Sequence, residues 1–344
     1  MLLIDKYKCK NDYDILYNKD IVEQLKNISK YNNIPNIILY GNTGAGKKTL
    51  VNLFLKYVYN DDIYNLNVNN YEIVNGSNNK DISYKYSPYH IILNFVKNNN
   101  YDKYIIQKLI KMYAESIMLV EKNTDKIFKS VFIQNIENLS YYAQMSLRRT
   151  IEQYSQSCKF IFTCDAINNI IEPLRSRCIC IRVPNPTDEE IKLVLHNIYY
   201  NEIKDININL IDYITKMSKH NIKNAILILN QYLINNNIKF KFEYDDIINM
   251  FVNFIINKDL ESVNNANEKI YNILMTNINY DNIFIDIMKK LIDNKNLNNK
   301  QKEEIINLTR RYNIRGKNCR RIIIEITNYI NTIIIYLLLE EYNK

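Results

Sequence analysis

Tryptophan is absent from this 344-residue sequence, and glycine and proline occur only five times each. Asparagine, isoleucine, lysine and tyrosine are used in excess, which we interpret as compositional drift of the genome rather than as chemistry. The 29 tyrosines are spread along the whole chain, so they do not predict a surface on which bases stack. A hydrophobic share of 47% is ordinary for a globular protein, and the length predicts two or three domains.

The cysteines and histidines are too scattered to bind zinc or to close a disulfide framework. None of the six cysteines has a C-x-x-C partner, and we predict no catalytic part for His90, His196 and His220. Free thiols indicate a reducing intracellular compartment. The first residues lack the basic, apolar and small-residue order of a signal peptide, so none is expected. The longest apolar run, Thr332–Leu339, is too short to span a bilayer, and no membrane partner is expected.

Three glycines fall within six residues, directly after an apolar run at positions 36–40. The loop and the residues that follow it are Gly41, Asn42, Thr43, Gly44, Ala45, Gly46, Lys47, Lys48 and Thr49. Glycines let the backbone turn its N–H groups towards a phosphate, and a helix that follows adds its positive end. The lysine of such a loop reaches the β- and γ-phosphates. The pattern therefore predicts a P-loop, with Lys47 as its phosphate-binding lysine.

The residue after that lysine departs from the P-loop pattern. The pattern has Ser or Thr there, because the hydroxyl holds Mg²⁺. Here the position is Lys48, and the hydroxyl comes one residue late, at Thr49. A shift of one residue turns a helical side chain by about 100°, so we do not expect Thr49 to reach the same metal. An ammonium group would stand where the metal ligand belongs.

A second position that normally supports the metal is altered in the same direction. In P-loop ATPases a buried strand ends in Asp or Asp-Glu, which support Mg²⁺ and orient the attacking water. The strand predicted over 130–133 is followed by the neutral amides Gln134 and Asn135, with Glu137 beyond them in a loop. The site gains one positive charge and loses two negative ones. We therefore expect it to hold phosphate better than to split it.

Strand and helix patterns alternate up to residue 183. Strands are predicted over 36–40, 71–74, 91–94, 130–133, 160–164 and 179–183, and helices over 20–31, 47–59, 104–120 and 141–154. This alternation predicts a parallel sheet that is covered on both faces. The buried face of the helix over 104–120 should carry Ile105, Leu109, Met112 and Ile117. A capping box over 187–190 then opens a part with helical patterns only.

Further short motifs point to one family. They are Asp5-Lys6-Tyr7-Lys8, Ser87-Pro88-Tyr89-His90, Leu147-Arg148-Arg149-Thr150-Ile151-Glu152 and Ser176-Arg177-Cys178. With the G-K-K-T loop and the neutral strand end, they resemble the replication factor C small subunits, clamp-loader members of the AAA+ ATPases. Within the family the resemblance is to the type numbered 3 in human and 5 in budding-yeast naming. It covers residues 1 to about 235 and continues only as helical character.

The resemblance implies an α/β part followed by an all-α part. It consists of an AAA+ P-loop parallel-sheet domain over 1–184, a small helical lid over 185–243 and a helical collar over 244–344. The collar joins subunits into a ring, which requires apolar faces beyond those of its own core. The stretches 322–324 and 333–339 supply such surplus apolar surface, so we predict an obligate complex.

The resemblance also implies roles for individual residues. Arg177 would be an arginine finger that enters the ATP site of a neighbouring subunit and increases the rate there roughly 10³–10⁵-fold. Tyr7 would line the adenine pocket. Asp165 falls at the first sensor position, where catalytic members keep asparagine. Lys223 falls at the second sensor, usually arginine, so the charge stays but the bidentate fork is lost.

The implied cofactor is ATP or ADP, with Mg²⁺ at this site in doubt. The implied partners are the other replication factor C subunits, the sliding clamp PCNA and primer–template DNA in the nucleus. The net charge of +8 suits a polyanion without identifying it. Our candidates for contacts with the DNA backbone are Lys103, Lys108 and Lys111, although a solvated helix face would explain these lysines equally well.

Three functions are compatible with the sequence. The first is a nucleotide-holding subunit of a heteropentameric clamp loader, with a degenerate site that does not itself hydrolyse nucleotide. The second is a self-sufficient P-loop AAA+ motor, helicase-like or remodeller-like, in a homo-oligomer. Lys48, Gln134 and Asn135 argue against it, because every copy would be disabled. The third is a nucleotide-dependent scaffold that does not contact DNA.

Overall fold

The structure is a computed structural model, and it describes residues 2–9, 11–75, 78–95, 102–115, 128–204, 208–234, 243–258, 268, 270–271, 280–294, 297–319 and 321–342. Contacts within the chain divide it into two compact units, Met1–Asn236 and Asn237–Lys344. The finer division at residues 184 and 243 stays a prediction.

Seven strands form one sheet in the described part of the first unit. They are β1 Asn36–Tyr40, β2 Asn67–Asn75, β3 Asn78–Tyr86, β4 His90–Asn94, β5 Lys129–Gln134, β6 Cys158–Cys164 and β7 Cys178–Arg182. Their order across the sheet is β2-β3-β4-β5-β6-β1-β7. The five strands from β4 to β7 in that order run parallel, whereas β2 and β3 form an antiparallel extension next to β4.

The antiparallel edge is an addition to the predicted parallel sheet. We predicted a short strand over 71–74 and missed β3 altogether. Its second half alternates apolar Ile82, Tyr84 and Tyr86 with polar Ser83 and Lys85, which is a strand pattern. Asparagine, lysine and aspartate, which are depleted in strands, precede it and obscured that signal.

Helices cover both faces of the sheet. They are α1 Leu3–Lys6, α2 Lys19–Ser29, α3 Lys47–Tyr59, α4 from Asp102 to Glu115, α5 Tyr141–Gln153, α6 Glu172–Arg175, α7 Asp188–Ile203, α8 Ile208–Ser218 and α9 Ile222–Ile234. Alternate residues of β1 enter different cores, since Ile37 and Leu39 pack with α2 and α3 while Ile38 packs with α4 and α5. The predicted capping box begins α7, where the Thr187 side chain accepts a hydrogen bond from the backbone of Glu190. The fold class is the one predicted.

Helix α4 is irregular, and this changes which residues it buries. It consists of Asp102–Tyr104, a π-helical turn Ile105–Ile110, and Lys111–Glu115. The wider π turn brings adjacent pairs of residues onto the buried face, namely Ile105, Ile106, Leu109 and Ile110. Met112 is 49% exposed, so its predicted burial was wrong, and Ile117 lies outside the described residues.

The second unit is helical wherever it is described in long segments. Its helices are α10 Glu243–Asn257, α11 Tyr280–Ile292, α12 Asn299–Asn318 and α13 Ile322–Tyr342. The rings of Phe284 and Tyr329 meet edge to face at 5.2 Å in its core, and the Tyr329 hydroxyl lies 2.8 Å from Thr309 Oγ1. Because this buried hydroxyl forms a hydrogen bond, the cost of removing it from water is compensated.

Helix α13 has both a buried and an exposed apolar face. Ile326, Ile330 and Ile333 are buried in the core, whereas Ile335 and Leu339 are exposed, Leu339 by 58%. By length and composition alone, the longer segment Ile322–Leu339, which contains the predicted run Thr332–Leu339, could cross a membrane. The side chains inside the core show that it also fits the core helix of a helical bundle, which passes the same test.

Candidate nucleotide-binding site

The glycine loop between β1 and α3 has the backbone of a phosphate-binding loop. Gly44 and Gly46 have φ of 81° and 90°, a left-handed conformation that side chains disfavour. A Cβ at Gly46 would overlap the hydroxyl of Tyr17, and a Cβ at Gly44 would overlap the amide of Asn221. Only glycine therefore fits between the loop and these two side chains.

Two helices point their N-termini at this loop. Helix α3 begins directly after Gly46, and helix α9 begins after Asn221, whose Oδ1 accepts a hydrogen bond of 3.1 Å from the backbone of Asn224. Neither helix has an acidic residue in its first turn, and each has a lysine as its second residue, Lys48 and Lys223. Lysine opposes the positive end of a helix dipole, whereas an anion would complement it. The charges of the two helix ends and of the two lysines thus converge on the loop.

Lys47 is folded back over the loop and is only 9% exposed. Its Nζ donates hydrogen bonds to the carbonyl oxygens of Gly41 and Asn42, the latter at 3.0 Å. It also forms an ion pair of 2.6 Å with Oδ1 of Asp165. The carboxylate oxygen of Asp165 thus accepts the hydrogen bond from Lys47 that a phosphate oxygen would accept from it in a site with bound nucleotide.

Asp165 brings a second carboxylate to the same place. It follows β6 directly, and its backbone N–H donates a 3.0 Å hydrogen bond to Oε1 of Glu137. Glu137 lies in a short turn after β5, and its other oxygen is buried without a hydrogen-bond partner among the described residues. Burial raises the pKa of Glu137, and the charge of Asp165 adds to this effect. Sequence reasoning had left Glu137 in a loop, because its approach to Asp165 depends on how β5 and β6 pair.

The neutral strand end does not take part in this cluster. Gln134 is the last residue of β5, and Asn135 adopts φ of 52°. The amide of Asn135 donates a hydrogen bond of 3.2 Å to the side chain of Asn94 at the end of β4. These two amides offer no charge to a divalent cation.

Lys48 is exposed at the mouth of the loop, and Thr49 is half-buried. Desolvation lowers the pKa of Lys48, and the like charges of Lys8, Lys85 and Lys223 lower it further. Lys8 belongs to the motif Asp5-Lys6-Tyr7-Lys8, but neither it nor Lys85 was predicted to lie near Lys48. The mouth of the loop is thus an electropositive environment that an anion would stabilise.

The structure places Tyr17 rather than Tyr7 against the loop. The Tyr7 hydroxyl donates a 2.6 Å hydrogen bond to Oε1 of Glu202 in the last turn of α7, and Lys6 Nζ lies 2.7 Å from the same oxygen. Tyr17 was missed because it lies in a polar segment without any motif. The part of Tyr7 in an adenine pocket stays a prediction.

Arg177 lies at the other end of the sheet. It directly precedes β7, whose first residue, Cys178, pairs with Asn36 at the start of β1. The loop follows the end of β1, five residues further on, which corresponds to about 16 Å. Arg177 is therefore farther from the chain's own loop than its side chain can reach.

The guanidinium of Arg177 is held by its own turn and by helix α5. Its NH1 donates to the carbonyl oxygen of Pro173 at 2.7 Å and to Ser176 Oγ at 3.3 Å. Its NH2 forms an ion pair with Oε1 of Glu152, and the side chain is 31% exposed. A planar guanidinium held in this way presents its remaining donors in a fixed direction.

The histidines have structural partners. His90 Nδ1 lies 2.7 Å from the hydroxyl of Ser87, and burial lowers the pKa of His90 to about 4, so its ring is neutral at physiological pH. His220 has φ of 59°, a left-handed conformation that glycine adopts more readily, and lies 3.3 Å from Asp188. The absence of a catalytic part for the three histidines stays a prediction.

The three candidate DNA-contacting lysines are exposed on α4. Lys103, Lys108 and Lys111 all face solvent, and Lys111 lies 3.8 Å from Glu115, which partly neutralises it. Their part in DNA binding stays a prediction.

Comparisons with known proteins were made for the whole chain. A family model described as DNA polymerase III, delta subunit, matches residues 17–187. A chain of Acanthamoeba polyphaga mimivirus named as a replication factor C small subunit is 37% identical over 85% of this chain and 80% of its own length. Replication factor C subunit 5 of Saccharomyces cerevisiae is 28% identical over 89% of this chain and 90% of its own. The human replication factor C subunit 3 is 33% identical over 66% and 64%.

Proposed function

Because the chain belongs to the replication factor C small-subunit family, we propose that it serves in a heteropentameric clamp loader. It holds a nucleotide, lends an arginine to a neighbouring ATP site, and helps to place the sliding clamp PCNA on primer–template DNA. The proposed setting is the nucleus, in replication and repair. The names of the relatives, which include replication factor C subunits of yeast and human, support this role.

The position of Arg177 is the observation that carries the finger assignment. The residue lies about 16 Å from the chain's own loop, so it cannot stabilise a phosphate there. It lies beside β7, an edge strand with exposed residues, where a second subunit can approach. A guanidinium near the γ-phosphate of that subunit would stabilise the charge that develops during phosphoryl transfer.

The chain's own loop is proposed to hold ATP or ADP without hydrolysing it. The ends of α3 and α9 supply N–H groups and positive dipole ends, and Lys47, Lys48 and Lys223 supply full charges. Lys48 takes the position of the metal ligand, and the amides of Gln134 and Asn135 take that of the acidic residues. We therefore expect nucleotide to be retained without Mg²⁺.

Contact with DNA is proposed for the phosphate backbone rather than for the bases. The exposed lysines Lys103, Lys108 and Lys111 of α4 remain the candidates, because cations on one helix can follow a phosphate backbone.

The self-sufficient motor is not favoured. A homo-oligomer would carry Lys48 and the neutral strand end in every copy, so every interface would combine an intact finger with a disabled site. The relatives are named as subunits of replication factor C instead.

The proposal is tested with Arg177→Ala in the reconstituted complex. We expect a partial loss of the ATPase that clamp and DNA stimulate, because one neighbouring site loses its finger while assembly persists. Arg149→Ala is the matched control, since Arg149 is an exposed arginine of α5 without an ion pair among the described residues. An unchanged rate with Arg177→Ala would remove the finger assignment.

A further inference from the structure

One carboxylate contacts two of the three arginines in the family motifs, Arg148 and Arg177. Glu152 is the second-last residue of α5, and its Oε1 accepts from Arg148 Nε at 3.3 Å, one helical turn away. The same oxygen forms the ion pair with Arg177 NH2, across 25 residues of sequence. Hydrogen bonds from Arg148 and from Arg177 hold the pKa of Glu152 below its usual value. Glu152 is therefore charged at physiological pH and can hold both guanidinium groups.

The hydrogen bonds of Arg177 leave one part of the guanidinium open. A guanidinium has five N–H groups. Both groups on NH1 are used by Pro173 and Ser176, and one on NH2 is used by Glu152. The Nε group and the second NH2 group make no hydrogen bond within the described part of the chain. These two donors remain open to a phosphate oxygen.

We propose that Glu152 is the positioning residue of the arginine finger. It fixes the plane of the Arg177 guanidinium so that the two open N–H donors face the neighbouring subunit. The inference rests on the proposed function, because it requires Arg177 to act in a neighbouring ATP site.

The charge of Glu152 is essential to this role, because its oxygen separates two cations. Without the negative charge, Arg148 and Arg177 would repel each other, and Arg177 would keep only the bonds to its own turn. An exposed ion pair contributes little to folding stability, so the loss should appear in catalysis rather than in folding. The finger contacts charge that is largest in the transition state, so kcat should fall while KM stays unchanged.

The experiment uses the reconstituted complex in which only the site that receives Arg177 keeps its P-loop lysine. Glu152→Gln keeps the size of the side chain and removes its charge. We expect kcat of that site to fall roughly three- to tenfold, the equivalent of one hydrogen bond, with KM and the melting temperature unchanged. Glu152→Asp keeps the charge and should restore part of the rate. Glu23→Gln is the matched control, since Glu23 is exposed on α2 without an ion pair among the described residues.

Arg177→Ala, alone and combined with Glu152→Gln, distinguishes a failure of the proposed function from a failure of the role proposed for Glu152. If Glu152 acts through the finger, Glu152→Gln has no further effect once Arg177 is alanine. If Arg177→Ala leaves kcat unchanged, the proposed function itself fails. If Arg177→Ala lowers kcat but Glu152→Gln leaves it unchanged or raises it, the finger stands and the role of Glu152 is refuted. An equal loss in the Arg177→Ala background would refute it as well.

Discussion

Asp165 should weaken nucleotide binding to the chain, and Asp165→Asn should strengthen it. The carboxylate of Asp165 forms an ion pair with the ammonium group of Lys47, with Oδ1 2.6 Å from Nζ. A phosphate that binds Lys47 must take over this donor, and the aspartate then remains close to the phosphate as an unpaired like charge. Asparagine keeps the shape of the side chain and removes its charge.

The expected size of the effect follows from the geometry. Lys47 Nζ lies 2.6 Å from Asp165 and would lie about 2.8 Å from a bound phosphate oxygen, so the two negatively charged oxygens would be about 5 Å apart. Asp165 is 42% exposed, so solvent screens it and an effective dielectric constant of about 20 to 40 is appropriate. The repulsion is then about 1–3 kcal/mol. We expect Asp165→Asn to tighten binding about 10- to 100-fold.

The assay is equilibrium titration of a fluorescent ATP or ADP analogue into the complex whose other P-loops are disabled. ATP should gain more than ADP, because it carries more negative charge for Asp165 to repel, and the gain should shrink as salt is added. Asp61→Asn is the matched control, since Asp61 pairs with Lys56 at 2.7 Å near the end of α3 that is remote from the loop. Unchanged or weaker binding, or an equal gain for both nucleotides, would refute the electrostatic reasoning.

Two further predictions concern metal and pH. Lys48→Thr restores the usual hydroxyl, so it should make nucleotide binding depend on Mg²⁺. The unaltered chain should bind nucleotide equally well with Mg²⁺ and with EDTA. A metal requirement in the unaltered chain would contradict this prediction. Buried His90 has a pKa of about 4, so the unfolded chain takes up a proton below about pH 6.5 while the folded chain does not. The free energy of unfolding should therefore fall by up to about 3 kcal/mol as the pH falls from about 6.5 to 4. Denaturant titrations of His90→Gln should not show this dependence on pH.

The loop could be predicted from sequence because its signals are local. The bounds of β1 and α3 are those predicted, since Gly44, Gly46 and Lys47 stand next to one another in the chain and each demands a particular backbone or charge. The sheet edge could not be predicted in this way. Strand β3 depends on pairing with β2 and β4, and its composition contradicts its conformation.

The contacts that set the chemistry were not readable from sequence either. The approach of Glu137 to Asp165 depends on the register of two strands, and the contact of Tyr17 with Gly46 joins two segments without a common motif. In the same way, both Glu152 and Arg177 belong to recognised motifs, but their ion pair exists only because α5 and the turn before β7 meet in the fold. Motifs identify candidate residues, but the packing of strands and helices decides which of these residues form hydrogen bonds and ion pairs with one another.

The separation of the two sites along β1 explains how one subunit can lose hydrolysis and keep its finger. The loop follows the last residue of β1, whereas Arg177 is anchored beside the first, through Asn36. Substitutions at the loop, such as a lysine in place of the metal-binding hydroxyl, do not touch the residues that hold Arg177. The two functions can therefore change independently, but only if the neighbouring subunit has a different sequence and an intact site. We therefore propose that this chain acts in a complex of unlike subunits, in which Arg177 contributes to hydrolysis in the neighbouring site rather than in the chain's own site.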